Sequence, residues 1–200
     1  AFVFFFQKLY PFPGVNDPQS PHSGAAGGVM LLRRKHLELA GGLEAIKDAV
    51  IDDCALASLI KNNHGRIWLG LADDTYSIRP YDGLTKIWNM VVRTAFTELN
   101  YKYIRLLGAV FGMMIIYLSG PLVFLLYPAH AGVTSSLLGL LSWLLMSLTY
   151  SPTIIYHRVP IIWAITLPLA GLLYTSMTLD SALRHSRNKG SGWKGRTYNF

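Results

Sequence analysis

The chain has 200 residues, a net charge of +7 and 52% hydrophobic residues, but only 14% of its residues are charged. An average globular domain carries about 25% charged residues, so this composition excludes an average soluble domain and indicates a membrane protein or an unusually large core. The single cysteine, Cys54, excludes an internal disulfide framework and is typical of a reducing compartment.

The first part of the chain predicts short elements separated by loops. Residues 1–10 are apolar and aromatic, which is consistent with a buried strand or an interfacial anchor, and they are too few to span a bilayer. Residues 11–28 are rich in Pro, Gly and Ser and predict a long loop. The later patterns predict strands and short helices: a strand at 29–32, helices at 36–40 and 43–50, and a strand at 66–71.

Two acidic residues, Asp52 and Asp53, open a helical pattern that closes at Gly65. The helix dipole favours the ionised form of an acid at this position, where it can accept a proton or a hydrogen bond. An ordinary helix cap is the simpler interpretation, and a functional one depends on the neighbouring motifs. A second pair, Asp73 and Asp74, has no histidine or further acid at ligand spacing, so we expect a plain turn and no metal site.

Residues 84–99 carry apolar side chains at helical spacing and predict an amphipathic helix that lies along a bilayer surface. Arg93 falls on the polar face of this helix, where a solvated cation is the simpler interpretation. No Asp, Glu, Lys or Arg occurs between Leu106 and Tyr156. Three apolar windows predict two to three transmembrane helices: about 106–126 with a break after Gly120 and Pro121, 133–148, and 160–179.

Basic residues before the first window and in the tail, residues 180–200, both favour the cytoplasmic side of a membrane. Three full spans would put these two basic segments on opposite sides. We therefore expect that one window is re-entrant or that the charge rule fails in this chain.

Three runs of the sequence resemble membrane-bound family 2 glycosyltransferases: GAAGGVMLLRR, AGGLEAIKDAVIDDCALASLIKNNHGRIWLGL and SIRPYDGLTKIWNMVVRTAFTELNY. With the tail sequence SGWKGRTY, they resemble in particular the hopene-associated subgroup, a relative of ceramide glucosyltransferase. The resemblance implies an α/β fold plus membrane helices. Its parts would be the acceptor-side part of a nucleotide-sugar-binding domain of the GT-A type at 1–83, an interface helix at 84–104, a transmembrane region at 105–179 and a basic tail at 180–200.

The resemblance also implies an inverting glycosyl transfer in which Asp53 is the catalytic base and Asp52 is the acid that precedes it. A carboxylate suits this role, because it can take the proton from an acceptor hydroxyl as that oxygen attacks the anomeric carbon. Four glycines match those that border the acceptor side of the site: Gly27, Gly28, Gly41 and Gly42.

Arg93 matches the arginine of the family's Gln-x-x-Arg-Trp motif, whose polar groups contact the donor diphosphate, and arginine is a suitable partner for phosphate. Met90 and Thr94 replace the Gln and the Trp, which argues against a processive polymerase. The family's nucleotide-binding half and its Asp-x-Asp motif, which holds Mg or Mn, would precede Ala1. We therefore expect this chain to be the acceptor-side and membrane half of a longer enzyme, with no cofactor bound within it.

The expected function is transfer of a sugar from a nucleotide sugar to a hopanoid or other isoprenoid lipid at the cytoplasmic membrane, with the catalytic part facing the cytoplasm. The expected partners are these two substrates and the lipid bilayer, and no nucleic acid. The alternatives are a non-catalytic membrane scaffold or an inactive fragment. A small transporter ranks last, because the spans carry almost no ionisable groups apart from His130, His157 and Arg158.

Overall fold

The computed structural model of the chain describes residues 1–75, 83–187, 191–193 and 196–198. The chain divides into two compact units, Phe2–Asp82 and a second one that begins at Gly83. Residues 77–82 of the third resembling run lie outside the described residues, as do Lys189 and Lys194 of the basic tail.

Helix α4 is the centre of the first unit. The helices of this unit are α1 (Phe2–Leu9), α2 (Phe12–Asn16), α3 (Arg34–Leu39), a 3-10 helix (Leu43–Ile46) and α4 (Asp52–Asn62). Leu56 and Ile60 on the buried face of α4 pack with Ala40, and Leu32 from the preceding loop joins this cluster. The helix predicted from the pattern after the acid pair is therefore confirmed. Its end is stabilised by the Gly65 N–H, which donates to the Ile60 carbonyl at 2.9 Å.

Side chains of other elements hold the long loop that follows α1. The Lys61 ammonium donates to the carbonyl oxygens of Gly14 and Val15 at 3.3 and 3.0 Å. The Asn16 side chain donates to the Leu69 carbonyl at 3.0 Å and accepts from the Leu69 N–H at 2.6 Å. Because helix α2 forms inside this segment, the expectation of a continuous loop over 11–28 is wrong at Phe12–Asn16.

The strands expected in the first unit, at 29–32 and 66–71, are both wrong, since the described residues of this unit form no strand. A strand needs a neighbour that takes its backbone N–H and C=O groups. At Leu69 an asparagine side chain takes both groups instead. Within residues 1–10, Phe2–Leu9 form helix α1, which decides against a strand there.

The second unit is a helical bundle followed by a hairpin. Its elements are α5 (Leu84–Glu98), α6 (Tyr103–Leu125), α7 (Tyr127–His130), α8 (Val133–Tyr156), a 3-10 helix (Ile161–Thr166), α9 (Leu167–Ser186), and antiparallel strands β1 (Ser191–Trp193) and β2 (Arg196–Tyr198). Among the described residues, three segments are long and apolar enough to cross a membrane: α6, α8 and Ile161–Ser186. The described chain is thus mostly helical with three candidate spans, and the α/β character of a GT-A domain stays a prediction.

The break expected after Gly120 and Pro121 is wrong, because α6 continues through Pro121 to Leu125. Apolar helices tolerate an internal proline where neighbouring helices support the backbone. Here a Cβ atom on Gly120 would lie 3.2 Å from the Gly139 carbonyl oxygen of α8, so the two helices touch at this level. Small residues allow such close approach between helices in lipid.

Helices α8 and α9 both run antiparallel to α6. For α9 this follows from two contacts, since Gly171 packs against Tyr117 near the end of α6 and Ala182 shares a buried cluster with Leu106 near its start. For α8 it follows from the short connection after α6 and from the contact between Gly120 and Gly139. The two helices therefore run in the same direction, and the chain must turn back between them.

The returning segment is 157–166. The indole N–H of Trp143 donates to the Ile165 carbonyl at 3.0 Å. Trp143 lies about 20 Å of helix before the end of α8 at Tyr156, so residues 157–165 run back along α8. The end of α9 consequently lies at the same end of the bundle as the start of α6. Whether one window is re-entrant or the charge rule fails stays a prediction.

Candidate active site

The carboxylate of Asp53 does more than cap its own helix. Ile51 is the N-cap of α4 and makes no side-chain cap bond, so Asp52 and Asp53 occupy the first turn. Oδ1 of Asp53 accepts from the Cys54 N–H at 2.8 Å, and Oδ2 accepts from the Gly27 N–H at 2.7 Å. Oδ1 of Asp52 accepts from the Asp53 N–H at 3.1 Å. Asp53 thus joins the helix start to a loop residue 26 positions earlier.

Gly27 lies directly against this carboxylate. It belongs to a turn in which the Val29 N–H donates to the Ala26 carbonyl at 3.3 Å. A Cβ atom at Gly27 would lie 2.9 Å from Oδ2 of Asp53, closer than a side chain can approach without displacing it. The Cys54 thiol adds a second link, since it donates to the Ala25 carbonyl at 3.5 Å. The structure therefore brings together two residues that the resemblance had assigned to one site.

The other three glycines have different surroundings. Gly28 is exposed, and a Cβ atom there would meet nothing within 4 Å. Gly41 and Gly42 have φ angles of 96° and 73°, which side chains rarely adopt. Their N–H groups donate to the carbonyls of Glu38 and Leu37, so both glycines are explained by the end of α3. The acceptor-side role of all three stays a prediction.

The geometry at Asp53 suits a general base. Each carboxylate oxygen accepts one backbone N–H, which fixes the orientation of the group and leaves a lone pair on each oxygen. The side chain is only partly buried, so a hydroxyl group can reach it. Among the described residues there is no group of three side chains that could hold a metal ion. The Asp53 carboxylate is therefore held in one orientation and can accept a proton from a hydroxyl group. The described side chains of the site do not form a metal centre.

Arg93 lies in the second unit, on a turn of α5 that α9 holds in place. Its side chain is partly buried, whereas the apolar periodicity of residues 84–99 had placed it on the solvated face of the helix. The buried hydroxyl of Ser181 accepts from the Phe96 N–H at 3.0 Å and donates to the Val92 carbonyl. These are the two backbone groups that an α-helix joins to each other, so one side chain of α9 fixes the turn that contains Arg93.

A polar cluster between α5 and α9 was missed by the sequence analysis. Oδ2 of Asp180 accepts from the Trp88 indole N–H at 2.7 Å and from Arg184 at 2.8 Å. The same guanidinium donates to Oδ1 of Asn89 at 3.2 Å. The sequence feature that could have revealed this cluster is that Asp180 is the only acidic residue after Glu98. An acid in so apolar a region is expected to have a partner.

We expect Ser181→Ala to destabilise the second unit by about 1–3 kcal/mol, because it leaves buried backbone groups of α5 without this hydroxyl. Thermal unfolding in detergent measures the loss. Ser176→Ala is the matched control, since Ser176 is only partly buried on the same helix and its hydroxyl donates to the Leu172 carbonyl of its own helix. Equal shifts for the two variants would contradict a special role of Ser181.

The fold and composition thus define a helical chain with three candidate membrane spans. A family model, Glycosyl transferase family 21, matches residues 21–199, and the chain belongs to this family. The match includes Gly27, Asp53 and Arg93, and the family implies a sugar donor and an acceptor. No curated protein and no solved structure matches the chain. The resemblance to membrane glycosyltransferases related to ceramide glucosyltransferase is confirmed at the level of the family, while the hopene-associated subgroup stays a prediction.

Proposed function

We propose that the protein at full length is an inverting glycosyltransferase that moves a sugar from a nucleotide sugar to a lipid held in a membrane. The observation that carries this proposal is the Asp53 carboxylate, oriented by the Gly27 N–H at 2.7 Å in a chain of glycosyl transferase family 21. The three candidate spans of the described residues support a lipid acceptor, because they would anchor the chain in a bilayer.

In the proposed reaction the acceptor hydroxyl donates its proton to an oxygen of Asp53. The hydroxyl oxygen then forms a bond to the anomeric carbon, and the bond from this carbon to the diphosphate breaks. The leaving diphosphate keeps the electron pair, and attack from the opposite side inverts the configuration. Two backbone N–H groups hold Asp53 in one orientation, so its free lone pair need not reorganise before it accepts the proton.

Arg93 is proposed to bind the donor diphosphate. A guanidinium can donate two parallel hydrogen bonds to phosphate oxygens and offset the charge that develops on the leaving group. Ser181 supports this role by fixing the backbone of the same turn. Asp52, which is exposed beside Asp53, adds negative charge near the base and stays a secondary member of the site.

The finer assignments come from the resemblance. They are a hopanoid or other isoprenoid acceptor, and a Mg or Mn ion on the donor. The resemblance assigns the ligands of this ion to an Asp-x-Asp motif that would precede Ala1, and the described residues contain no group of three side chains that could hold a metal ion. A non-catalytic scaffold remains the second candidate, and no contact of the described residues specifically favours it.

The test is a transfer assay with the full-length protein in membranes, a panel of labelled nucleotide sugars and added hopanoid acceptors. The proposal predicts label in the lipid fraction with at least one donor, and a product whose anomeric configuration is opposite to that of the donor. A product with retained configuration would exclude the proposed single displacement. No label with any donor would favour the scaffold.

We further propose that the catalytic part and the tail face the cytoplasm. Lys102 and Arg105 lie at the start of α6, and Arg187 follows α9, which ends beside that start. Basic residues next to spans favour the cytoplasmic side, and the turn-back after α8 allows both segments to satisfy this rule.

Single cysteines are introduced at Lys102 and Arg187 after Cys54 and any cysteine outside these 200 residues are replaced by serine. Both are expected to react with a membrane-impermeant maleimide from the same side of the membrane. A cysteine at Ala131, beyond the opposite end of α6, should react from the other side only. Labelling of intact cells and of inverted vesicles measures this. Opposite sidedness of positions 102 and 187 would contradict the re-entrant arrangement.

A further inference from the structure

Three consecutive apolar residues next to the candidate base are exposed. We call Val29, Met30 and Leu31 the apolar tip. Their exposed fractions are 64%, 42% and 102%. A run of three exposed apolar residues is unfavourable in water and usually marks a surface that contacts something else.

The tip is held outward by its neighbours. Before it, the turn from Ala26 to Val29 and the bond from the Gly27 N–H to Asp53 hold the chain against the start of α4. After it, Leu32 packs into the cluster around α4. Successive side chains of a non-helical segment point to different sides, so an inward Leu32 leaves Leu31 outside.

The residues that follow the tip are basic. Arg33, Arg34 and Lys35 are all exposed. Glu38 pairs with Arg34 at 2.7 Å, so the triplet keeps a net positive charge. Apolar side chains beside exposed cations match a membrane interface, where the apolar groups enter the acyl boundary and the cations meet anionic headgroups.

This unit belongs to a chain with candidate membrane spans, and the first of these in the described residues is α6. An anionic bilayer matches both the tip and the adjacent positive charge, whereas a protein partner would need an apolar pocket with acidic groups beside it.

We propose that the apolar tip inserts into the interface of an anionic bilayer and that Arg33 and Lys35 bind lipid phosphate groups. Because Gly27 is two residues from the tip and binds Asp53, insertion brings the start of α4 to the depth of the headgroups. If Asp53 is the base, as proposed above, an acceptor hydroxyl at this depth reaches it without leaving the membrane.

The test uses the full-length protein with Cys54 and any cysteine outside these 200 residues replaced by serine, reconstituted into vesicles of phosphatidylcholine with phosphatidylglycerol. An environment-sensitive fluorophore on Leu31→Cys should shift to shorter wavelength and lose emission when the lipids carry a shallow nitroxide. The same fluorophore on Asn62→Cys, an exposed polar position of α4, should keep its emission. Leu31 is fully exposed, so the substitution does not endanger the fold.

Two results would overturn the proposal. Emission typical of water and no quenching at position 31 would show that the tip stays in solvent. A shifted emission without quenching by lipid nitroxide would show that protein covers it. Adding Arg33→Gln and Lys35→Gln should reduce the quenching in anionic vesicles, and undiminished quenching would refute the role of these cations.

Activity gives a separate readout. Leu31→Asn is expected to raise KM for a bilayer-embedded acceptor and leave KM for the donor unchanged, and equal effects on both would argue against acceptor capture by the tip. The quenching does not depend on catalysis. Quenching without any transferase activity would therefore uphold the membrane contact and reject the proposed function. Activity without quenching would uphold the proposed function and reject the membrane contact.

Discussion

Replacing Asp53 by asparagine is expected to lower kcat at least about a hundredfold, the usual contribution of a general base. Asparagine keeps the shape of the side chain, and its amide oxygen can still accept from the Gly27 N–H, which holds the loop to the helix start. The variant loses the ability to take a proton and also the bond from the Cys54 N–H, because an amide NH2 group cannot accept it. Initial rates of sugar transfer at saturating donor and acceptor measure the effect.

Asp52→Asn is the matched control for this variant. Asp52 is exposed in the same turn, and its Oδ1 accepts from the Asp53 N–H rather than from the loop. We expect a clearly smaller loss, because no contact of Asp52 orients it toward the loop at Gly27. If Asp52→Asn is the more damaging of the two, the base is assigned to the wrong residue.

Arg93→Ala is expected to lower kcat/KM for the donor roughly 10- to 100-fold, because a hydrogen bond to a charged group is worth about 1.5–3 kcal/mol. KM for the lipid acceptor should change little. Arg93→Lys should restore only part of the loss, since lysine keeps the charge and lacks the planar pair of donors. Kinetics with each substrate varied in turn separate these effects.

The alternative for Arg93 is a purely structural role, because its side chain is partly buried. In that case Arg93→Ala would lower the unfolding temperature and affect both substrates alike. Loss of expression in Arg93→Ala together with full activity in Asp53→Asn would contradict both assigned roles.

Local periodicity predicted the longer helices, whereas the short helices α1 and α2 were not predicted. The pattern after Asp53 depends on contacts within one helix face, and α4 forms there. The same holds for Leu84–Glu98, and the apolar windows matched segments long enough to cross a membrane. The juxtaposition of Gly27 and Asp53 spans 26 positions, and only the resemblance to known enzymes placed both in one site.

The errors occur where contacts between distant residues decide the structure. Short apolar runs such as 29–32 fit a strand or an irregular segment equally well, and here Leu32 turns inward while Leu31 is exposed. The pairing of Asn16 with Leu69 spans 53 positions and leaves no local pattern. Hydropathy likewise measures the length of a span and not its direction. The only sign in the sequence of the turn-back near Ile165 was that three full spans would put the two basic segments on opposite sides of the membrane.

The central claim is that Asp53 at the start of α4 is the base of a lipid-directed sugar transfer. The most direct test compares full-length wild type with Asp53→Asn for incorporation of labelled sugar into membrane lipid, with both proteins present at equal amounts. The account predicts labelled lipid with wild type and almost none with Asp53→Asn. Equal labelling by the two proteins would contradict it.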